Sequence, residues 1–255
     1  MFLVGLTISL NAQGVGPRKP PTPEEQRQMK TKVEEELKNA TADTTRARLK
    51  MQIAGMTMQD NVAEALQLAK DALALAEKTN HPETIARANF GVANIYVRSN
   101  RYDDALQYLN DGLPMAEKLG NPDLLSGFYN HLGSIYFERG VYEKALLYYR
   151  KNLAALEKTP APPTRKAGVL NQIGMLLHRT GKHREAIESL QKAGVMAEQA
   201  QMWDMATGIW TNVSNCHESL NEPGEAEAAR AKAKACQDRN KKKAPAPTTT
   251  KSGSN

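Results

Sequence analysis

Five histidines and two cysteines are the residues with which this 255-residue chain could ligate a metal or activate a nucleophile. Their spacing serves neither chemistry. His178 and His183 are five residues apart and straddle a turn at Gly181, and His131 stands by itself, so each reads as a packing or surface residue. His217 directly follows Cys216, which is not a spacing that a tetrahedral zinc site uses. There is no HExxH run and no serine in a nucleophile elbow. Gly14 and Gly16 are followed by prolines rather than a helix, so they do not form a phosphate loop. If Cys216 and Cys236 lie on the two helices of one hairpin turning near Asn221, a rise of about 1.5 Å per residue offsets them by about 15 Å. That is too far for a disulfide, and two reduced, packed thiols are expected. The reading is therefore of a non-enzyme with no cofactor, no metal, no catalytic residue and no small-molecule substrate.

The elements that carry these residues follow from one recurring pattern. Tyr129, Leu132, Gly133 and Tyr136 form an apolar face at helical spacing, Gly140 ends the helix, and Tyr142, Ala145 and Tyr149 form the facing side of a second helix. Such a hairpin cannot bury its apolar side alone. Alanines equivalent to Ala145 recur at Ala65, Ala105, Ala186 and Ala226, at spacings of 40, 40, 41 and 40. Tyr96, Tyr136, Leu177 and His217 share one position of the first helix; Leu109, Tyr149 and Leu190 share one of the second. A fixed period of this length with two helices per unit defines a solenoid. The predicted fold is all-α, a right-handed α-solenoid of about five hairpins, with repeats over 43–79, 80–119, 120–159, 163–199 and 201–240. Repeat one is the most degenerate, with Ile53 in the place of Gly133. NHPE (Asn80–Glu83) and GNPD (Gly120–Asp123) open repeats two and three, each with an asparagine that can cap and a proline in the first turn. Pro114 is expected to kink its helix or end it near Gly112.

The termini differ in composition. Residues 1–13, MFLVGLTISLNAQ, have the apolar core and small polar end of a secretory signal, too short to span a bilayer as a helix. The expectation is a periplasmic or secreted protein with no transmembrane segment in the mature chain, and a cytoplasmic one if this segment is not a signal. Residues 14–22 read as a linker. Residues 23–39 read as a charged cap helix with a stripe of Met29, Val33 and Leu37. Of the formal charge of +6, five positives lie after Asp238 without a balancing acid (Arg239, Lys241, Lys242, Lys243 and Lys251), so the body is near neutral and gives little basis for nucleic-acid binding. Residues 241–255 lack an apolar face and are expected to be a disordered basic tail.

The units of repeats two to four resemble tetratricopeptide (TPR) repeats, in the long, 40-residue bacterial form. Tyr129, Leu132, Gly133, Tyr136, Gly140, Tyr142, Ala145 and Tyr149 carry the resemblance, and Leu170, Ile173, Gly174, Leu177, Gly181, His183, Ala186 and Leu190 repeat it. The junctions AEKTNHPE and AEKLGNPD are similar to those in extracytoplasmic sensor portions of bacterial histidine kinases. The resemblance implies a protein-interaction module holding a peptide or protein segment on its concave face, lined by first-helix residues. By register these are Arg87, Phe90, Asn94, Val97 and Arg98, then Asn130, Ser134, Phe137 and Glu138. Asn171, Met175, His178 and Arg179 follow, and then Thr211, Asn215, Glu218 and Ser219. An asparagine amide both donates and accepts, so Asn94, Asn130, Asn171 and Asn215 suit an extended backbone; the bland reading is that they bond each other or water. The alternatives are an assembly scaffold that uses its convex face or its ends, and a cytoplasmic regulator whose basic tail contacts nucleic acid. Oligomeric state is not encoded in any of these features.

Overall fold

The computed structural model describes residues 21–243; among them lie eleven α-helices and no strand. The signal-like segment, all but the last two residues of the linker, and the tail beyond Lys243 fall outside the described residues. α1 (Pro23–Asn39) precedes five antiparallel pairs. These are α2 (Asp43–Thr57) with α3 (Val62–Lys78), α4 (Pro82–Arg98) with α5 (Tyr102–Leu119), and α6 (Pro122–Glu138) with α7 (Tyr142–Glu157). α8 (Pro163–Arg179) with α9 (His183–Gln199), and α10 (Trp203–Ser219) with α11 (Pro223–Lys243), complete the stack. Each hairpin packs chiefly on the next, so this is an α-solenoid.

The period has a steric cause. Ala65, Ala105, Ala145 and Ala186 are wholly buried and Ala226 is 1% exposed. A larger side chain at any of them would push its two helices apart. At the facing position a Cβ on Gly133 would lie 2.5 Å from the Tyr149 ring, and one on Gly174 would lie 2.5 Å from Leu190. In the first hairpin the same two positions hold Ile53 and Ala69, both buried. The bulk has moved from the second helix to the first, which is how Ile53 stands where glycine stands elsewhere. In the last hairpin Ser214 takes the small position, and its hydroxyl donates to the Ala226 carbonyl at 3.1 Å.

The turns repeat as well. Asn100, Gly140, Gly181 and Asn221 take positive φ values of 56°, 72°, 79° and 55°. The next amide reaches back to the carbonyl of Tyr96, Tyr136, Leu177 or His217 at 2.9–3.0 Å, the six-to-one bond that closes a helix with a left-handed residue. Between hairpins, Asn80, Gly120 and Gln201 are left-handed too. This corrects the expectation for Asn80. His81 caps α4, accepting from the Thr84 amide, and Asn80 sits where Gly120 sits, with φ of 52°. Asn121 caps α6 as expected.

Three other expectations are corrected. α5 continues past Pro114 to Leu119 instead of ending near Gly112. Pro114 and Asn110 are both exposed, so water can serve the Asn110 carbonyl that the ring deprives of its donor. Met29 is 50% exposed, so of the expected stripe only Val33 and the half-buried Leu37 pack on Leu49 and Ile53. α1 is also held by a Thr22–Glu25 capping box. α11 continues through Lys243, so the first three residues of the expected tail are helical.

The junction between hairpins three and four is polar as well as apolar. Ser126 donates to Asn152 Oδ1 at 2.6 Å, both buried. Arg165 on α8 reaches Asp123 at 2.6 Å and Ser126 at 3.2 Å. α2, α4 and α6 pack in succession, as do α8 and α10, so the first helices line one side of the stack.

Candidate functional site

The register-derived residues lie on these first helices. On α4, Arg87 is held by Glu83 through two contacts of 2.8 and 2.9 Å. Phe90 is half-buried, packed on Phe128 (5.3 Å between centroids), stacked on His131 (5.1 Å) and covering Gly127. Both are engaged within the fold. Asn94 and Val97 are half-buried and Arg98 is exposed. On α6, Ser134 accepts from the Tyr149 hydroxyl at 3.4 Å, and Glu138 is exposed. On α10, the Thr211 and Ser219 hydroxyls bond carbonyls of their own helix, and Glu218 pairs with Arg230.

The asparagines divide into two sets. Asn171 accepts from Asn212 Nδ2 at 3.1 Å and contacts Met175 Sδ at 3.6 Å. The side-chain amides of Asn94, Asn130 and Asn215 have no hydrogen-bond partner among the described residues. Half-buried or exposed as they are, they offer both donors and acceptors to an incoming chain.

Phe137, Met175, His178, Arg179 and Asn215 converge around a cavity of about 340 Å³ between α6, α8 and α10, with Leu190 of α9 on its wall. Asn212 and Cys216 complete it, two residues that sequence reasoning missed. Neither sits in the rows singled out by register, and Cys216 reads as core. Met175 is 42% exposed, an apolar side chain offered to solvent at the mouth. The Arg179 guanidinium lies 5.5 Å from the Phe137 ring centre.

His178 is the polar centre of this cavity. Its Nδ1 lies 3.0 Å from His183 Nδ1 and 3.3 Å from Cys216 Sγ. The two histidines that straddle the turn thus meet, and a thiol from the next hairpin joins them. One nitrogen serves both contacts, and no group of three His, Cys, Asp or Glu among the described residues is placed to hold a metal ion. Burial, and then the charge of His183, lowers the His178 pKa, while burial pushes the Cys216 thiol up to about 11. The pair is thus a neutral imidazole beside a neutral thiol, without the thiolate that a nucleophile needs. Cys216 and Cys236 are free and buried. Lys50 is paired with Asp71 at 3.0 Å.

A stack of helical hairpins with one polar, cavity-bearing strip defines a repeat protein of the interaction-module class. The tetratricopeptide repeat profile matches residues 46–118 and 124–193, more than half of the chain, and the chain belongs to that family. Its members are in general interaction modules rather than enzymes. No curated protein sequence matches. Among solved structures, BtubC (BKLC) from P. vanneervenii is similar at a TM-score of 0.77 and 19% identity, over 92% of this chain and 99% of that one. MamA is similar at 0.60 and 17%, over 81% and 98%. A signal transduction ATPase with a tetratricopeptide repeat sensor, from Pyrococcus horikoshii, is similar at 0.70 and 18%, over 86% of this chain and 32% of that one. At these identities the likeness is one of fold. Among the described residues no helix is long and apolar enough to cross a membrane.

Proposed function

We propose that the protein is a non-enzymatic module that holds an extended peptide or protein segment along the strip formed by α4, α6, α8 and α10. The observation that carries this reading is the conjunction of the cavity at Phe137, Met175 and Arg179 with the unfilled amides of Asn94, Asn130 and Asn215. Backbone-directed amides give affinity without reading sequence, and the cavity supplies an apolar anchor. The test is selection from a display library of random dodecapeptides. Enriched peptides should lose about tenfold or more in affinity to N130A/N215A, whose helical signal and unfolding midpoint stay unchanged, since each added backbone bond is worth about 1 kcal/mol. No enrichment, or equal binding to the variant, would count against the strip.

A second reading rests on Leu147 and Val195, 53% and 47% exposed on second helices α7 and α9. They suit self-assembly through the convex face, and light scattering of wild type against L147E/V195E separates the readings. Export is the companion proposal, motivated by residues 1–13. Mass spectrometry of the native N-terminus should find a chain that begins near Gln13, and an intact Met1 in the cytosol would end it. An extracytoplasmic sensor role akin to that of histidine kinase repeats depends on that result, whereas contact of the basic tail with nucleic acid requires the cytosolic outcome.

A further inference from the structure

Each junction between hairpins places three residues in fixed register. A glutamate ends the second helix of one hairpin (Glu77, Glu117, Glu157, Glu198). The next first helix presents Asn89, Tyr129, Leu170 or Trp210, and the next second helix Asp111, Lys151, Lys192 or Lys232. Where the middle residue is aromatic, the three form a plug. The Tyr129 hydroxyl donates to Glu117 at 3.0 Å, and Lys151 lies 3.6 Å from that carboxylate and 5.3 Å from the ring centre. The Trp210 indole N–H donates to Glu198 at 2.5 Å, with Lys232 4.2 Å from the ring centre. A ring that donates to the glutamate and a cation over the ring thus recur 81 residues apart.

The junction of hairpins one and two lacks both. Asn89 replaces the ring, and Asp111 replaces the lysine and reverses its charge. In the vacated space lies a cavity of about 470 Å³ lined by Glu77, Ile85, Asn89, Tyr108, Asp111 and Met115, among others. Asn89 is only 4% exposed; its Nδ2 donates to the Ile85 carbonyl at 3.1 Å, and its Oδ1 accepts from no group among the described residues. Glu77 and Asp111 likewise form no ion pair among them. The cavity therefore has an unfilled acceptor on a buried residue, two unpaired carboxylates and one aromatic wall, Tyr108, and no lysine or arginine lines it. It opens on a different face of α4 from Asn94, about 140° around the helix from Asn89 at 3.6 residues per turn.

We propose that this cavity is a second binding site, which takes an arginine side chain from a protein partner. A guanidinium is flat like the missing ring, so it can stack on Tyr108. Its forked donors match Glu77, Asp111 and Asn89 Oδ1, and its charge supplies what Lys151 and Lys232 supply at the filled junctions. A neutral aromatic side chain would leave Asp111 uncompensated, and an ammonium would leave the ring space unfilled.

The probe is N-acetyl-arginine amide, titrated into the ¹⁵N-labelled full chain at about physiological ionic strength, where loose surface attraction is screened. Saturable shifts should appear at the Asn89 side-chain amide and at the backbone amides of Glu77 and Asp111. Affinity should fall at least about tenfold in D111K, a reversal of one charge facing the ligand. D111K alters an exposed position and leaves the fold intact, as the dispersion of the spectrum will report; N89Y, which refills the space, should abolish the shifts independently. N-acetyl-citrulline amide, of the same shape without the charge, should leave the spectrum unmoved. Non-saturable shifts, equal affinity in D111K, or an equal response to the citrulline or lysine amide would overturn the assignment.

Discussion

Gly133→Ala is the sharpest test of the packing argument, because the structure names the atoms that must give way. The new Cβ would lie 2.5 Å from both Cδ1 and Cε1 of Tyr149, whose ring is 3% exposed. Such overpacking costs about 1–3 kcal/mol, and the better helix propensity of alanine returns about 1 kcal/mol, leaving a net loss of between zero and about 2 kcal/mol. Tyr149→Leu alone removes ring atoms and the 3.4 Å contact to Ser134, at about 2 kcal/mol. Hairpin two already carries alanine and leucine at these positions, Ala93 and Leu109, both wholly buried. The double variant G133A/Y149L should therefore recover most of the loss, with a coupling of about 2 kcal/mol against additivity. Urea unfolding followed by far-ultraviolet circular dichroism measures all four proteins. A G133A that is clearly more stable than wild type, or a strictly additive double variant, would refute the claim that Gly133 is glycine because of the Tyr149 ring.

His131 is stacked on Phe90 with its Nε2 buried and unbonded, and burial lowers its pKa to about 4 from 6.5. The unfolded chain binds this proton first, so stability is full above pH 6.5 and falls between 6.5 and 4, by about 3 kcal/mol at 1.36 kcal/mol per unit. H131F should flatten that slope in unfolding measured from pH 7.5 to 4.5; an unchanged slope would place the titration elsewhere. Gln201 holds φ of 55° without the freedom of glycine, so Q201G should raise the unfolding free energy by about 0.5–1 kcal/mol, and a loss would contradict the strain. Cys216, wholly buried with its thiol pushed up to about 11, should react with iodoacetamide at pH 8 only as fast as the chain opens. Labelling at the rate of a free thiol would show that the thiol itself, and not only the mouth of the cavity, is open to solvent.

The solenoid was legible because its repeat is steric. Alanine and glycine recur where two helices touch, and no long-range information is needed to see them. What the sequence hid depends on choices made by surroundings. Asn80 can cap a helix or turn left-handed, and only the position of His81 beside it decides. Pro114 breaks a helix in general but survives where its orphaned carbonyl faces water. The meeting of His178, His183 and Cys216 draws on two hairpins whose relative rotation is not written in either. Ile53 and Ala69 look like the loss of a motif until the two are seen to exchange bulk. The strip was readable only as rows of register, so Asn212, one residue outside those rows, went unnoticed.

The direct packing of α4 on α6, and of α8 on α10, makes the strip a ruler. Packed helix axes lie about 8–10 Å apart. A polyproline II chain advances about 3.1 Å per residue with three residues per turn, so one of its turns matches one division. A β-strand repeats a face every second residue, about 6.6 Å, and presents alternate faces to successive helices. A left-handed, proline-rich segment would therefore meet hairpins two and three, and hairpins four and five, in the same orientation, and a strand would fall out of phase within two.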